Sequence, residues 1–233
     1  MAKAKSQLNH IAFIVDGNRR WAVERGLSKL DGHKAGYERL KEIALACFDR
    51  GIAQVGAYIF STENWNRQEA EVSYLMNLAY RIFTQDLEEL NSKGVRIRFW
   101  GFRERLSAKL QQAIDETESK TAKNTAGTLN LCFNYGGQQE IVMAVKEIVD
   151  SKISADKVDE EVIKSHLFTH DTPAPDLIVR TSGEQRLSNF LLWDSAYSEL
   201  NFVPAYWPDF DVAWLDNVID DFNGRERRYG GGK

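Results

Sequence analysis

The sequence is poor in cysteine, in histidine and in long apolar runs, and each shortage excludes a class of protein. Only two cysteines occur in 233 residues, Cys47 and Cys132. Both lie in apolar stretches without a second thiol or histidine at metal-ligand spacing. That excludes a disulfide framework and a structural zinc site and leaves buried free thiols in a reducing compartment. The first apolar run, residues 11–15, ends in Asp-Gly-Asn and is too short for a signal-peptide core, and nothing approaches a membrane span. The expectation is a soluble, cytoplasmic protein. Lys and Arg number 30 against 34 for Asp and Glu, so no basic field invites nucleic acid and any anion site must be local. No G-x-x-x-x-G-K-[ST] loop and no nucleophile elbow with Ser, His and acid partners occurs, which removes P-loop nucleotide hydrolysis and triad catalysis. Gly136-Gly137 reads as a turn.

What is present is alternation. Short β-rich runs at 10–15, 55–60, 95–100, 128–133 and 177–179 are separated by helical stretches at 34–50, 104–120, 138–151 and 212–222. Val72, Leu75, Met76, Ala79, Ile82, Phe83, Leu87 and Leu90 recur with helical period and predict one further helix of about six turns. Gly51, Gly94 and Gly127 are expected to stop helices. With 43% hydrophobic residues the chain can bury one core. The predicted fold is a single α/β domain over 1–233, a mainly parallel central sheet flanked by helices. Ligands of such sheets gather beyond the carboxyl ends of the strands.

Three polar clusters sit at such ends. Asp16-Gly-Asn-Arg-Arg-Trp follows the first strand and offers a carboxylate for a hard cation beside backbone N–H groups for phosphate, with Arg19 and Arg20 adding charge. An Asp-Gly turn with Asn18 as a helix N-cap is the structural alternative. Ser61-Thr-Glu-Asn-Trp-Asn-Arg67 follows the second strand and sets hydrogen-bonding groups beside an aromatic ring; a loop opening a helix would look the same. Arg180, Arg186 and Ser188 crowd a third loop between apolar runs, and two guanidinium groups with a hydroxyl suit a diphosphate better than surface ion pairing. Glu199 precedes Leu200, Phe202 and Val203 in what reads as a buried strand end, where it either joins Asp16 in a divalent-metal site or pairs with an arginine. His33, between Lys29 and Lys34, is a phosphate contact or a core histidine.

In order and spacing these clusters resemble the cis-prenyltransferase family, which includes the undecaprenyl diphosphate synthases. The match runs from His10-Ile-Ala-Phe-Ile-Val-Asp-Gly-Asn through Phe60-Ser-Thr-Glu-Asn-Trp, Leu129-Asn-Leu-Cys-Phe-Asn-Tyr-Gly-Gly, Arg180-Thr-Ser-Gly-Glu-Gln-Arg-Leu-Ser-Asn-Phe and Trp207-Pro-Asp-Phe to Arg225-Glu-Arg-Arg-Tyr-Gly-Gly. The resemblance implies condensation of isopentenyl diphosphate with an allylic diphosphate, dependent on Mg²⁺ held by Asp16 and Glu199. It implies that Gly17, Asn18, Arg19, Arg20, Lys29, His33 and Arg67 hold the allylic diphosphate, with Trp21, Ser61, Thr62, Glu63 and Trp65 completing the reacting region. Arg180, Arg186, Leu187 and Ser188 would hold isopentenyl diphosphate, and Asn64 would take part in removing its proton through a relay with Ser61 or a phosphate. It further implies a homodimer, a tail at 225–233 whose Arg228-Tyr229-Gly230 reaches the facing subunit, a hydrophobic product tunnel along the helix from Val72, and transient membrane contact for release.

This chain departs from the common bacterial pattern. Arg19 stands where glycine is usual and Lys29 where arginine is frequent, and Ile59 and Phe133 are bulky where long-chain members carry small residues. Ile59 shares a strand face with Ser61, so a product shorter than undecaprenyl is expected. Two rivals fare worse. A non-catalytic subunit of a two-component enzyme would have lost the motifs, whereas Asp16, Asn64, Arg180, Arg186 and Glu199 are all retained. A trans-prenyltransferase would need paired aspartate-rich helices in an all-α fold.

Overall fold

A computed structural model describes residues 8–84 and 87–225. Its frame is a six-stranded sheet in the order β3-β4-β2-β1-β5-β6, with β1 His10–Ile14, β2 Gln54–Ser61, β3 Val95–Trp100, β4 Gly127–Tyr135, β5 Leu177–Arg180 and β6 Glu199–Phe202. Every pairing is parallel. β1 and β5 are buried along their whole length, as the apolar runs at 11–14 and 177–179 require of strands covered on both faces. β1 lies between β2 and β5, so the chain leaves it in one direction and returns on its other side. The crevice beyond the carboxyl ends of β1, β2 and β5 is therefore a topological switch point.

The eight α-helices of the described residues are α1 Asn18–Glu24, α2 Lys29–Asp49, α3 Glu69–Ile82, α4 Leu87–Ser92, α5 Ala108–Thr121, α6 Gly137–Asp150, α7 Glu160–Ser165 and α8 Val212–Gly224. α2 starts five residues ahead of the predicted 34, because Ser28 and Asp31 form a reciprocal capping box. Its buried face packs with α3, α5 and α8 over one face of the sheet, in a core that includes Leu40, Ile43, Phe60, Leu75, Ile82, Phe133 and Val218. A smaller cluster of Tyr58, Trp100, Tyr135, Phe190 and Leu191 covers the other face. Cys47 and Cys132 are free and wholly buried. Among the described residues no helix is long and apolar enough to cross a membrane.

Three expectations need correction. The helix expected from Val72 to Leu90 is two helices, α3 ending at Ile82 with Phe83 as its cap and α4 starting at Leu87. The apolar period persisted because both pieces face the same core, not because one axis runs through. Gly127 opens β4 instead of ending a helix, α5 having stopped at Thr121. Glu199 begins an edge strand that is half-buried with Leu200 exposed, not a buried strand end. The tail residues Arg228, Tyr229 and Gly230 lie outside the described residues.

α1 and α2 touch through backbone. A Cβ at Gly32 would stand 2.0 Å from the Asn18 carbonyl oxygen, and one at Gly36 would stand 2.3 Å from the Asn18 side chain. Gly32→Ala therefore forces α1, and Asn18 with it, away from α2. A loss of about 1–3 kcal/mol is expected in urea denaturation. Gly224→Ala, with open space around it, should cost nothing in the same measurement.

Candidate active site

Asp16 follows β1 and is pinned by the strand beside it. Its amide donates to Thr181 Oγ1 at 3.1 Å, the same hydroxyl donates to its carbonyl at 2.8 Å, and the Trp207 amide donates to that carbonyl at 3.0 Å. Gly17 then takes a left-handed φ of 101°, and a Cβ there would lie 2.6 Å from the Tyr206 ring. Glycine, not Asn18, is thus the N-cap of α1, and Asn18 is its first helical residue.

The Asp16 carboxylate accepts from Gly17 N at 2.7 Å, from Arg20 at 3.3 Å and from Arg180 Nη2 at 2.8 Å. Burial works to raise its pKa, but the Arg180 bond and charge, Arg20 and the Gly17 amide together lower it below the ordinary carboxylate value. It is an anion facing cations. Arg180 is 4% exposed, and its other Nη donates to Ser188 Oγ and to the Arg186 carbonyl, both at 2.6 Å.

Two cavities meet at this point. One of about 480 Å³ is lined by Asp16, Gly17, Asn18, Arg19, Arg20, Lys29, His33 and Arg67. The other, about 220 Å³, shares Asp16, Asn18, His33 and Arg67 with it and adds Ser61, Asn64, Arg180 and Ser188. Behind their common wall lies an apolar void of about 50 Å³ between α2, α3 and the sheet, lined in part by Tyr37, Leu40, Ile59, Leu75 and Ile82. β2 and β4 lose register at Ile59, Tyr58 pairing with Cys132 and Phe60 with Phe133. This bulge turns Ile59 and Phe60 toward the α2–α3 side, and the Phe60 ring packs tilted against Phe133 at 5.1 Å.

Most residues expected at the site are therefore together. Ser61 and Asn64 satisfy both readings of their segment: the Ser61 amide donates to Asn64 Oδ1 at 3.2 Å as a cap of the short turn Thr62–Asn66, and both side chains line the second cavity. Others face aside. Trp21 donates to Asp209 at 2.7 Å, Trp65 donates to Asn134 at 2.6 Å beneath Arg105, Glu63 accepts from Asn189 at 2.9 Å, Arg186 pairs with Glu184 and Leu187 packs in the smaller core. Sequence reasoning missed Glu71. It is 7% exposed and meets Arg67 at 3.0 Å, His33 Nε2 at 3.1 Å and Arg19 at 3.6 Å, gathering three pocket side chains of which the two arginines would otherwise repel. Burial holds the His33 pKa below its ordinary value despite that bond. The signal was the i,i+4 spacing from Arg67.

A magnesium ion takes one or two carboxylates with substrate phosphates. Asp16 fits as one, being ionised, 28% exposed at the side chain and on the wall shared by both cavities. Glu199 does not join it within one chain. It pairs in register with Leu177, which pairs with Ile11, so it stands level with a residue five positions before Asp16, about 16 Å along the strands. Its carboxylate is held by Arg225 at 2.8 Å. Among the described residues no group of three or more His, Cys, Asp or Glu forms a ready metal cluster.

Fold and site together define a class: an α/β protein with a cation-lined double cavity at the carboxyl edge of a parallel sheet, backed by an apolar void. The comparisons carry this further. The family described as "Putative undecaprenyl diphosphate synthase" matches residues 14–230. Isoprenyl transferase of Agrobacterium fabrum is 46% identical over 95% of this chain and 91% of its own, and that of Lactobacillus johnsonii 43% over 99% of both. Among solved structures, lavandulyl diphosphate synthase from Lavandula x intermedia in complex with dimethylallyl diphosphate superposes with a TM-score of 0.92 at 34% identity, covering 96% of this chain and 98% of that one. A probable undecaprenyl diphosphate synthase from Campylobacter jejuni gives 0.81 at 30%, covering 97% and 99%. The chain belongs to the undecaprenyl diphosphate synthase family of isoprenyl transferases, and its activity is that of a cis-prenyltransferase.

Away from these cavities lies a largely buried polar network, with only Lys164 reaching partly to solvent. Glu140 is fully buried, bonded to the Tyr135 hydroxyl and to Phe168 N at 2.9 Å, while Asp194 accepts from Lys164 at 2.5 Å and Thr169 at 2.7 Å. Burial above all, with the Asp194 charge, raises the Glu140 pKa to about 7. A raised carboxyl stabilises the fold fully below its unfolded value of 4.5, and that contribution is lost as pH climbs through about 7. The whole displacement corresponds to ~3 kcal/mol. Denaturant unfolding of wild type and Glu140→Gln should therefore show the variant gaining ~2 kcal/mol relative to wild type between pH 5 and pH 8.

Proposed function

We propose that this protein condenses isopentenyl diphosphate with an allylic diphosphate in the presence of Mg²⁺, giving a Z-polyprenyl diphosphate shorter than undecaprenyl. The observation that carries the reading is the shared wall: two cation-lined cavities meet at Asp16, Asn18, His33 and Arg67. Two diphosphates bound there would hold their reacting carbons close together. Likeness to a synthase solved with dimethylallyl diphosphate supports an allylic partner in the larger cavity.

In this reading Arg19, Arg20, Lys29 and Arg67 hold the allylic diphosphate and stabilise it as it departs with the electrons of its C–O bond. Arg180, Arg186 and Ser188 hold isopentenyl diphosphate, whose terminal alkene carbon forms the new bond. That leaves positive charge on the neighbouring alkene carbon, which bears no hydrogen; the CH₂ group between it and the diphosphate-bearing carbon then loses a proton and the double bond closes there, with Asn64 and Ser61 relaying the proton to a phosphate oxygen, since a neutral carboxamide is a weak base alone. The Ser61 amide donates to Asn64 Oδ1 and orients that carboxamide. Asp16 is the carboxylate ligand of the metal; when bound, Mg²⁺ supplies positive charge to the leaving diphosphate. Glu199 has no part in this step within one chain.

The short product rests on the small apolar void and on the side chains around it. Ile59 lines that void and Phe133 closes on Phe60 behind it, leaving little room for a long hydrocarbon. A homodimer is part of the same reading, and the exposed stripe Val142, Val145 and Val149 on α6 is an apolar face available to a second copy. Val23, Leu27 and Leu30, exposed where α1 turns into α2 beside the larger cavity, suit transient contact with a membrane during release.

Purified protein incubated with labelled isopentenyl diphosphate and geranyl or farnesyl diphosphate should incorporate label with Mg²⁺ and none with EDTA. The extracted lipid should run shorter than undecaprenyl, and Ile59→Ala should lengthen it. Incorporation unaffected by EDTA would remove the metal; undecaprenyl from wild type with no change in the variant would remove the length limit; no incorporation with any primer would favour the non-catalytic subunit.

A further inference from the structure

The loop that leads from β5 to β6 has an unusual backbone. Ser182, Ser188, Asn189 and Leu191 take φ values of 80°, 49°, 66° and 42°, a region that side chains other than glycine and asparagine avoid. Such a path persists only where its surroundings fix it. The fixing contacts converge on Asn189. Its carbonyl accepts from Gly137 N and its Oδ1 from Gln138 N, both at 2.8 Å, which ties the loop to the first turn of α6. Its Nδ2 donates to Gln139 Oε1 and to Glu63 Oε1, both at 2.9 Å. The amide is fully used.

These partners belong to two separate segments, the first turn of α6 and the turn after β2. Ser188, the residue before Asn189, bonds Arg180, and Glu63 is the residue before Asn64. We propose that Asn189 is a positioning residue that locks the loop bearing Arg186 and Ser188 to the segment bearing Ser61 and Asn64, fixing the spacing of the two diphosphate subsites. The proposal rests on the reaction put forward above. It assigns Glu63 a role that its sequence position did not suggest, as the far end of this lock instead of a substrate contact.

Asn189→Gly is the direct test, because glycine keeps the left-handed backbone and removes only the side chain. Asn189→Asp keeps the acceptor for Gln138 but sets a carboxylate against Glu63; adding Glu63→Gln restores a donor across the gap. Expected are a rise of about tenfold in KM for isopentenyl diphosphate and a comparable fall in kcat for N189G and N189D, with native circular dichroism, and recovery of most of the loss in N189D/E63Q. A mere cap of α6 would lower the melting temperature with KM unchanged and show no recovery. Wild-type kinetics in N189G, or a double variant no better than N189D, overturns the proposal. Should wild type itself incorporate nothing, the reaction reading falls, and inorganic pyrophosphate binding takes over as the readout: weakening of about tenfold in N189G supports the lock, and unchanged affinity overturns it.

Discussion

The pairing of Asp16 with Arg180 governs the architecture of the site. Parallel register sets Ile14 beside Arg180, so the residue two places beyond β1 and the last residue of β5 project into the same crevice. A guanidinium with 4% exposure must have partners, and Arg180 finds them in Asp16, Ser188 and the Arg186 carbonyl. One buried cation thereby ties the loop after β1 to the loop after β5. Thr181 and Trp207 clamp the Asp16 backbone from the same side. Removing either charge would leave the other stranded, so the pair is a constraint before it is a source of stability.

On that frame the remaining cations can be gathered without a ligand. Arg19 and Arg67 face one space and their repulsion is offset by the buried Glu71, which also bonds the neutral His33. Arg20 shares itself between Asp16 and Glu184. Protein carboxylates thus occupy, in these cavities, the positions beside the cations that the proposed diphosphates would take. In the proposed reaction, binding would exchange those contacts for phosphate rather than assemble new ones.

Much of this was legible in the sequence. Five of the six strands and the clusters after β1, β2 and β5 follow from apolar runs ending in polar, glycine-bearing segments, because a parallel sheet exposes its chemistry only at strand ends. Other features depend on register and on helix ends, which carry weak local signals. The break between α3 and α4 hides in a continuous apolar period, and the bulge at Ile59 re-aims a side chain that simple alternation would place otherwise. Glu199 was matched to Asp16 by motif, but strand register sets it about 16 Å down the sheet, beside Arg225. Glu71 and Asn189 act through partners distant in sequence and announce themselves only when those partners are in view.

The most direct test of the Asp16–Arg180 frame is calorimetric titration of inorganic pyrophosphate into wild type and Asp16→Asn, each with and without Mg²⁺. If Asp16 is both the partner of Arg180 and the metal's carboxylate, Mg²⁺ should tighten binding to wild type and have no effect on the variant. Without metal, the variant should bind at least as tightly, its arginines being released to the anion. Equal stimulation by Mg²⁺ in both proteins, or loss of all binding in the variant without metal, would contradict that dual role.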